Sequence, residues 1–399
     1  MSVIVEPRGG VTTPRGFLAG ATYAGIKTYG EGKLDLALLV SEVPCAAAAV
    51  FTTSRFCAAA VTLDREHLRD LRAQAVVVNS GVANAGTGER GLADARRFAA
   101  LAGRRLGIPP EDVVVCSTGV IGEYLPLEKI EAALPAVHLS AHGGEAFARA
   151  IMTTDTRPKH GSVAFGPYLL GGCAKGAGMI HPNMATMLAF LTTDAPVEPG
   201  FLDRSLRAAV DRSFNLISVD GDTSPSDTVV LLANGIAGGE PIDERSPWAR
   251  PFQEALEGLC VELAKAIARD GEGATKLLEV TVKGAANEAE ARHLVRLLTT
   301  SYLLKSAVHG SDPNWGRIVA VVGRSGVTFE ERSVRVAICG TPVFVDGMPA
   351  PCDLARVAEA MRGETVTITV DLGAGHAEAT GWGCDLSAEY VSINADYHT

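Results

Sequence analysis

Apolar residues in the first third of the chain form two kinds of pattern that alternate with each other. Residues 34–40, 75–78 and 113–116 are largely continuous apolar runs, which are typical of buried strands. Between residues 91 and 106 the apolar side chains recur at helical spacing, and Gly107 follows as a candidate C-cap. Strands that alternate with helices predict an α/β layered fold.

The same criteria predict the elements of the remaining chain. Further helices are expected over residues 127–134, 145–152, 201–214, 252–268, 288–304 and 353–361. Further strands are expected over residues 187–191, 227–233, 277–282, 333–338, 343–345, 365–370, 376–380 and 390–393. Short strands and tight turns dominate after residue 320. We therefore expect a larger α/β domain over residues 1–282 and a smaller C-terminal α+β domain over residues 283–399.

The composition is that of an ordinary globular protein, since 47% of the 399 residues are hydrophobic and 21% are charged. The formal net charge is -10 and Lys and Arg do not cluster, so a nucleic-acid-binding protein is not expected. The 8 cysteines contain no Cys-x-x-Cys pair, which argues against a zinc ribbon and favours reduced thiols in a cytoplasmic protein. We expect no signal peptide, and no apolar stretch approaches the ~20 residues of a membrane span.

The most unusual segment is residues 175–188, with the sequence Lys-Gly-Ala-Gly-Met-Ile-His-Pro-Asn-Met-Ala-Thr-Met-Leu. It contains one cation, Lys175, glycines that free the backbone, and Thr186, which follows the small residue Ala185. A phosphate-binding P-loop is excluded because a glycine, and not a hydroxyl residue, follows the lysine. Spacing alone leaves open a tight loop that enters an apolar strand and a catalytic loop, and it favours the first.

Two other polar segments have structural interpretations. The carboxylates of residues 220–227 alternate with other polar residues but do not fit an EF-hand loop. We expect them to hold a turn through hydrogen bonds to backbone amides, with a weak metal site as the alternative. Residues 308–317 around His309 are expected to be scaffolding, because the chain contains neither a His-Glu-x-x-His nor a Gly-x-Ser-x-Gly motif.

Residues 175–187 resemble the signature of the ornithine acetyltransferase (glutamate N-acetyltransferase) family. Segments similar to that family follow in the same order along the chain, at residues 117–122, 152–156, 218–223, 270–276, 309–317 and 393–399. The resemblance covers nearly the whole chain, and a near-verbatim motif of this length is highly specific. It therefore overrides the interpretation of the Thr186 loop that spacing alone favours.

The resemblance implies a layered α-β-β-α sandwich similar to the N-terminal-nucleophile-like acyltransferases. It also implies that the precursor cuts itself between Ala185 and Thr186, which gives fragments 1–185 and 186–399. Thr186 would then carry both a nucleophilic hydroxyl and a free α-amine. The reference pKa of such an amine, about 7.7–8.0, suits a general base near neutral pH.

The reaction implied by the resemblance is a ping-pong transfer of an acetyl group from N2-acetylornithine to L-glutamate. Some members of the family also use acetyl-CoA as a donor, and no motif in this sequence separates the two kinds. The residues implied to stabilise the oxyanion are Thr118 and Gly119. Those implied to contact the substrate are Thr153, Lys175, Thr186, Glu272, Asn394 and Thr399.

Charge suggests how two of these residues divide the substrate between them. We expect Lys175 to bind the α-carboxylate of ornithine and Glu272 to bind its δ-ammonium. The resemblance implies no cofactor and no metal. It also implies a heterotetramer of two α and two β fragments, with small molecules as the remaining partners.

Two alternatives belong to different functional classes. A related self-processing aminopeptidase or amidase would pass the acyl group from Thr186 to water, but the segment that begins at Lys175 and the tail over residues 394–399 favour the transferase. A binding or scaffold protein that had kept only the fold would be expected to lack the nucleophile or the glycines, and the sequence retains both.

Overall fold

The computed structural model describes residues 4–27, 32–181 and 187–396, so Ala185, Thr186 and Thr399 lie outside the described residues. The strands within these ranges are β1 (Phe17–Thr22), β2 (Leu36–Phe51), β3 (Arg72–Val82), β4 (Val113–Val120), β5 (Lys159–Phe165), β6 (Tyr168–Lys175), β7 (Leu188–Thr193), β8 (Ile217–Ser218), β9 (Thr228–Ala233), β10 (Leu277–Ala285), β11 (Arg335–Ile338), β12 (Thr341–Val345), β13 (Met348–Pro349), β14 (Thr365–Asp371) and β15 (Ala377–Cys384). The α-helices within them are α1 (Ala59–His67), α2 (Gly88–Leu106), α3 (Leu127–Ala133), α4 (Gly144–Ala150), α5 (Pro199–Asp211), α6 (Ala249–Arg269), α7 (Glu288–Thr300), α8 (Tyr302–His309), α9 (Trp315–Gly323), α10 (Leu354–Ala360) and α11 (Ala388–Asp396).

The first sheet is built around the long strand β2. Its eight strands follow the order β4-β3-β2-β9-β7-β6-β5, with β1 paired to β2. The first half of β2 pairs antiparallel with β1 and β3, and its second half pairs antiparallel with β9. The register between β2 and β3 shifts between Val40 and Cys45, where Pro44 has no amide hydrogen to donate. This irregularity lies between the part of β2 that pairs with β1 and β3 and the part that pairs with β9.

Helices cover both faces of the first sheet. On β3, Val76 and Val78 face the core that contains α4, whereas Ala75 and Val77 face the core that contains α1 and α2. Helices α5 and α6 pack against the other half of the sheet, on the face opposite α4. Strands that are buried on both faces consist of nearly continuous apolar residues, which explains the apolar runs in the sequence.

The second sheet has seven strands in the order β13-β12-β11-β14-β10-β15-β8. Leu278, Val280 and Val282 of β10 belong to a core that they share with α7. Helix α6 contacts β5 and β6 of the first sheet and β15 of the second. The described residues therefore form a mixed α/β fold with two sheets, which confirms the α/β class expected from the sequence.

The expected domain boundary at residue 282 falls inside β10, which runs from Leu277 to Ala285. The second sheet also takes its edge strand β8 from residues 217–218, which pair in parallel with β15. Both halves of the expected division thus contribute strands to the second sheet. The longest described helix, α6, has 21 residues, and none of the described helices is long and apolar enough to cross a membrane.

Two predictions about secondary structure are wrong, and in both cases a serine begins a helix. Residues 390–393 lie in helix α11 and not in a strand, and the Ser387 hydroxyl accepts a hydrogen bond from a backbone amide in its first turn. The single helix expected over residues 288–304 is two helices, because the chain breaks at Ser301, whose side chain caps α8. Serine caps of this kind satisfy amides that the first helical turn leaves unpaired.

Strands β5 and β6 have no counterpart among the elements expected from the sequence. Strand β6 contains Gly171 and Gly172. Glycine has no side chain to pack, so it generally weakens the interior of a strand. A Cβ at Gly171 would lie 2.1 Å from the carbonyl oxygen of Gly10, and one at Gly172 would lie 2.6 Å from the side chain of Leu191. Close packing against these neighbours requires glycine, and periodicity alone does not reveal it.

The core between the first sheet and α6 provides a test of the packing. Phe252 of α6 is fully buried, with its ring centroid 5.6 Å from that of Phe165 and 6.1 Å from that of Phe201. The substitution Phe252→Ala should lower the free energy of unfolding by about 3–5 kcal/mol, because it removes the ring and leaves a cavity. Urea denaturation measures this loss. Phe56 is 83% exposed, so the control Phe56→Ala should change the free energy by no more than about 0.5 kcal/mol. Equal losses in the two variants would contradict this packing.

Candidate active site

One cleft brings together six of the residues that the sequence assigns to the site. Its lining includes Thr118, Gly119, Thr153, Lys175, Glu272 and Asn394. The residues come from five parts of the chain: the end of β4, the loop after α4, the last position of β6, the loop after α6, and α11. Ala185, Thr186 and Thr399 lie outside the described residues, but Met187, which directly follows Thr186 in the sequence, also lines the cleft.

The wall of the cleft at Thr118 and Gly119 depends on two glycines that face each other. Strands β3 and β4 pair in parallel, with Gly81 opposite Gly119. Both residues have positive φ angles, 115° at Gly81 and 129° at Gly119. A Cβ at Gly119 would lie 2.2 Å from the carbonyl carbon of Gly81. The close approach of the two backbones therefore excludes a side chain at Gly119. At this position β4 lines the cleft with backbone atoms alone.

Lys175 presents a buried ammonium at this wall. The residue is 7% exposed, and its Nζ lies 3.5 Å from the Oγ1 of Thr118, a long hydrogen bond. Burial lowers the pKa of Lys175, and the nearby Asp155 carboxylate opposes that shift. Within the described residues, no carboxylate forms a salt bridge with this ammonium. A buried cation without an ion-pair partner favours an anion in the cleft.

A second group of charges lies behind Lys175 and was not identified from the sequence. The Lys159 ammonium is 2.6 Å from a carboxylate oxygen of Asp155 and 2.6 Å from one of Asp270. All three side chains are at most 4% exposed. The sequence does carry a signal, because residues 153–194 contain few charges and two of them are Asp155 and Lys159. Nothing in the sequence indicates that Lys159 pairs with Asp270, which lies more than a hundred positions further along the chain.

Glu272 approaches the cleft floor through a gap that a glycine leaves open. The backbone amide of Glu272 donates to the carbonyl of Ala177 at 2.8 Å, and its Oε2 accepts a hydrogen bond from the side-chain amide of Asn394 at 2.8 Å. A Cβ at Gly178 would lie 2.4 Å from Oε1 of Glu272. The glycines of the 175–178 segment thus give the carboxylate access to the cleft, as part of the segment singled out in the sequence.

The carboxylate of Asp220 supports the same segment from below. It accepts hydrogen bonds from the amides of Met179 at 2.6 Å, Ile180 at 2.9 Å and Asp222 at 3.1 Å. Burial raises the pKa of Asp220, and these amides oppose the shift. The predicted turn held by carboxylate-to-amide hydrogen bonds is confirmed for Asp220.

Comparison with known proteins gives matches over the whole chain. The ArgJ family model matches residues 18–399. The chain is 48% identical over 402 residues to the arginine biosynthesis bifunctional protein ArgJ of Dehalococcoides mccartyi. This alignment covers 100% of this chain and 99% of the relative. It is 50% identical over 397 residues to the protein of the same name from Symbiobacterium thermophilum, with 98% and 99% covered. A crystal structure of arginine biosynthesis bifunctional protein argJ from Bacillus halodurans matches with a TM-score of 0.52 and 42% identity, and covers 53% of this chain and 100% of that chain.

The glycine pair at the cleft wall can be tested through stability. Gly119→Ala should destabilise the protein by about 3 kcal/mol or more, because it adds a backbone clash to an unfavourable φ angle. Urea denaturation measures the loss. Gly323→Ala is a matched control, since nothing lies within 4 Å of a Cβ at Gly323 in helix α9. That control should be neutral or stabilising by up to about 1 kcal/mol. A Gly119→Ala variant as stable as its control would refute the close approach of β3 and β4.

Proposed function

Because this chain belongs to the ArgJ family, we propose that it moves an acetyl group from N2-acetylornithine to L-glutamate through an acetylated Thr186. As a member, it is an acetyltransferase of arginine biosynthesis. The observation that carries the detailed proposal is the cleft itself. Thr118, Thr153, Lys175, Glu272 and their neighbours are distant in sequence, yet they line one cleft beside Met187.

The proposed activation step is a self-cleavage between Ala185 and Thr186. The Thr186 hydroxyl attacks the Ala185 carbonyl, the peptide C–N bond breaks, and water then hydrolyses the resulting ester. The products are residues 1–185 and 186–399. One comparison supports this division. The relative's solved chain is covered completely by 53% of this chain, and residues 186–399 make up 214 of the 399 residues, which is the same share to within a percent.

In the proposed transfer, the α-amine of Thr186 takes the proton of its own hydroxyl as the oxygen attacks the acetyl carbonyl. The C–N bond of acetylornithine breaks, the α-amine returns the proton to the leaving nitrogen, and ornithine departs. Glutamate then attacks the acetyl-threonine ester in the reverse sense and leaves as N-acetylglutamate. Thr118 and Gly119 stabilise the oxyanion in both halves, a contribution typically worth about 10²–10³ in rate for one donor.

The charges of the cleft support the choice of substrate. The buried ammonium of Lys175 has no ion-pair partner among the described residues, and it suits the α-carboxylate that both amino acids carry. Glu272 is 8% exposed and suits the δ-ammonium of ornithine. The two charges together suit N2-acetylornithine as the acetyl donor. The ammonium of Lys175 also suits the α-carboxylate of glutamate as the acceptor.

The remaining features of the proposal follow from the family. The two curated relatives described above are named bifunctional, and acetyl-CoA as a second acetyl donor would form the same acetylated Thr186. The reaction needs no cofactor or metal, because the threonine carries the acetyl group. We also infer a cytoplasmic location and an assembly of two copies of each fragment.

Self-cleavage is tested by replacing the nucleophile. Wild-type protein on a denaturing gel should give two bands of about 19 and about 22 kDa, in proportion to the fragment lengths within 41.6 kDa. Thr186→Ala should give one full-length band, because no hydroxyl remains to attack. N-terminal sequencing of the larger fragment should begin at Thr186. The control variant Thr192→Ala, which changes a nearby threonine in β7, should still be cleaved. A full-length wild-type band would rule out this activation step.

The role of Glu272 is tested by steady-state kinetics. Glu272→Gln keeps the acceptor for Asn394 but removes the charge, so the KM for N2-acetylornithine should rise about 10- to 100-fold, the usual worth of a hydrogen bond to a charged group. The KM for glutamate, whose side chain carries no cation, should not rise in parallel. Glu279→Gln, a half-buried change in β10 away from the cleft, is the control. An unchanged KM for acetylornithine in the Glu272 variant would remove that residue from substrate binding.

A further inference from the structure

We propose that Asp155, Lys159 and Asp270 form a buried positioning network that fixes Lys175 and the neighbouring substrate-binding segments in the cleft. The network touches none of the reacting atoms, so it acts through the residues that it holds. The proposal rests on the proposed function for the identity of the substrate. Its geometry rests only on the described residues.

The network connects three backbone segments that line the cleft. One oxygen of Asp155 accepts the amide of Gly176 at 2.7 Å, directly after Lys175, and the other accepts the amide of Thr153 at 3.0 Å. Lys159 joins Asp155 to Asp270. Asp270 lies two residues before Glu272 in the sequence. The three segments that present Thr153, Lys175 and Glu272 are thus connected by a single chain of ion pairs and hydrogen bonds.

Asp270 is held as firmly on its own side. It accepts the amide of Thr156 at 3.1 Å and also bonds the hydroxyl of Thr156, and Arg157 lies 3.8 Å away at the surface. Each of its carboxylate oxygens therefore has a donor. A buried charge that is fully hydrogen-bonded has few alternative positions, because leaving one partner unpaired is expensive. The loop that leads to Glu272 is fixed for this reason.

The network also sets the electrostatic environment of Lys175. Burial lowers the pKa of Lys175, and Lys159 lowers it further, whereas Asp155, Asp227 and Glu272 raise it. Lys27, also buried, interacts unfavourably with it from the neighbouring loop. Burial alone would raise the pKa of Asp155, but Lys159, Lys175 and the Gly176 amide hold that pKa well below its ordinary value. Asp155 therefore remains an anion and supports the charge of Lys175.

Two nearly isosteric changes should move Lys175 in opposite directions. Asp155→Asn removes a negative charge, so the pKa of Lys175 should fall. Lys159→Met removes a positive charge, so that pKa should rise. Because charged Lys175 binds the substrate carboxylate, binding is lost as pH rises through its pKa. The basic limb of a plot of kcat/KM for N2-acetylornithine against pH should therefore move down in pH for Asp155→Asn and up for Lys159→Met, by about one pH unit or more.

The experiment compares full-length, self-processed enzymes between pH 6 and about pH 10.5. The δ-ammonium of the substrate titrates in the same range for every enzyme, so the displacement between the enzymes is the measured quantity. Gels give the cleaved fraction and thermal unfolding gives the folded fraction, and rates are normalised to both. Asp194→Asn is the matched control. Its carboxylate is buried, lies 3.2 Å from Arg15 and accepts the Leu169 amide at 2.8 Å, away from the cleft.

The outcomes separate the possible explanations. Opposite displacements in the two network variants, with none in Asp194→Asn, support the positioning role. Lower thermal stability with an unmoved basic limb in either network variant means that the network is only structural and overturns the proposal. Each variant has its own expected sign, so either of them decides the question if the other fails to fold. Wild-type enzyme that transfers no acetyl group would instead refute the proposed function.

Discussion

A charged side chain taken out of water destabilises a protein by several kcal/mol unless a partner of opposite charge replaces the solvent. Lys159 meets this requirement with two carboxylates at 2.6 Å, those of Asp155 and Asp270. The three groups come from the loop after α4, the first position of β5 and the end of α6. Their pairing forces these elements to meet at one point. The cleft lies next to this point, where the ends of β4 and β6 contribute Thr118, Gly119 and Lys175 to its lining.

The parts of the fold that the sequence predicts well are those with a single dominant cause. Strands β3 and β4 are buried on both faces, so their apolar runs identify them without ambiguity. Helix α2 has a regular apolar face and ends at Gly107, whose left-handed conformation stops the helix as expected. The apolar pattern does not predict strand β6, because this strand depends on the absence of side chains at Gly171 and Gly172. It also does not predict helix α11. The β-branched residues of this short segment favour a strand, and the signal for a helix is the cap at Ser387.

The site shows a similar division between local and distant causes. The segment from Lys175 is unusual enough to be singled out by composition, but spacing left its role open, and only the resemblance to a family assigned it. Asp155 and Lys159 are four residues apart, which in a helix would indicate a surface ion pair worth a few tenths of a kcal/mol. The structure places them in a loop and a strand, fully buried. Their partner Asp270 is distant in sequence, and no local pattern can predict such a pairing.

The proposed self-cleavage is compatible with this architecture because Ala185 and Thr186 come, along the chain, after the end of β6 at Lys175 and before the start of β7 at Leu188. Lys175 ends β6 and pairs with Leu188 at the start of β7. Strand β9, beyond β7, pairs with β2 from the first fragment. The first sheet and the ion network, with Asp155 and Lys159 on one side and Asp270 on the other, therefore both cross the proposed cut. The proposed cut breaks one peptide bond and none of the strand pairings or ion pairs described here. The proposed cleavage would thus create a new α-amine directly before Met187, which lines the cleft, without separating the fragments that form it.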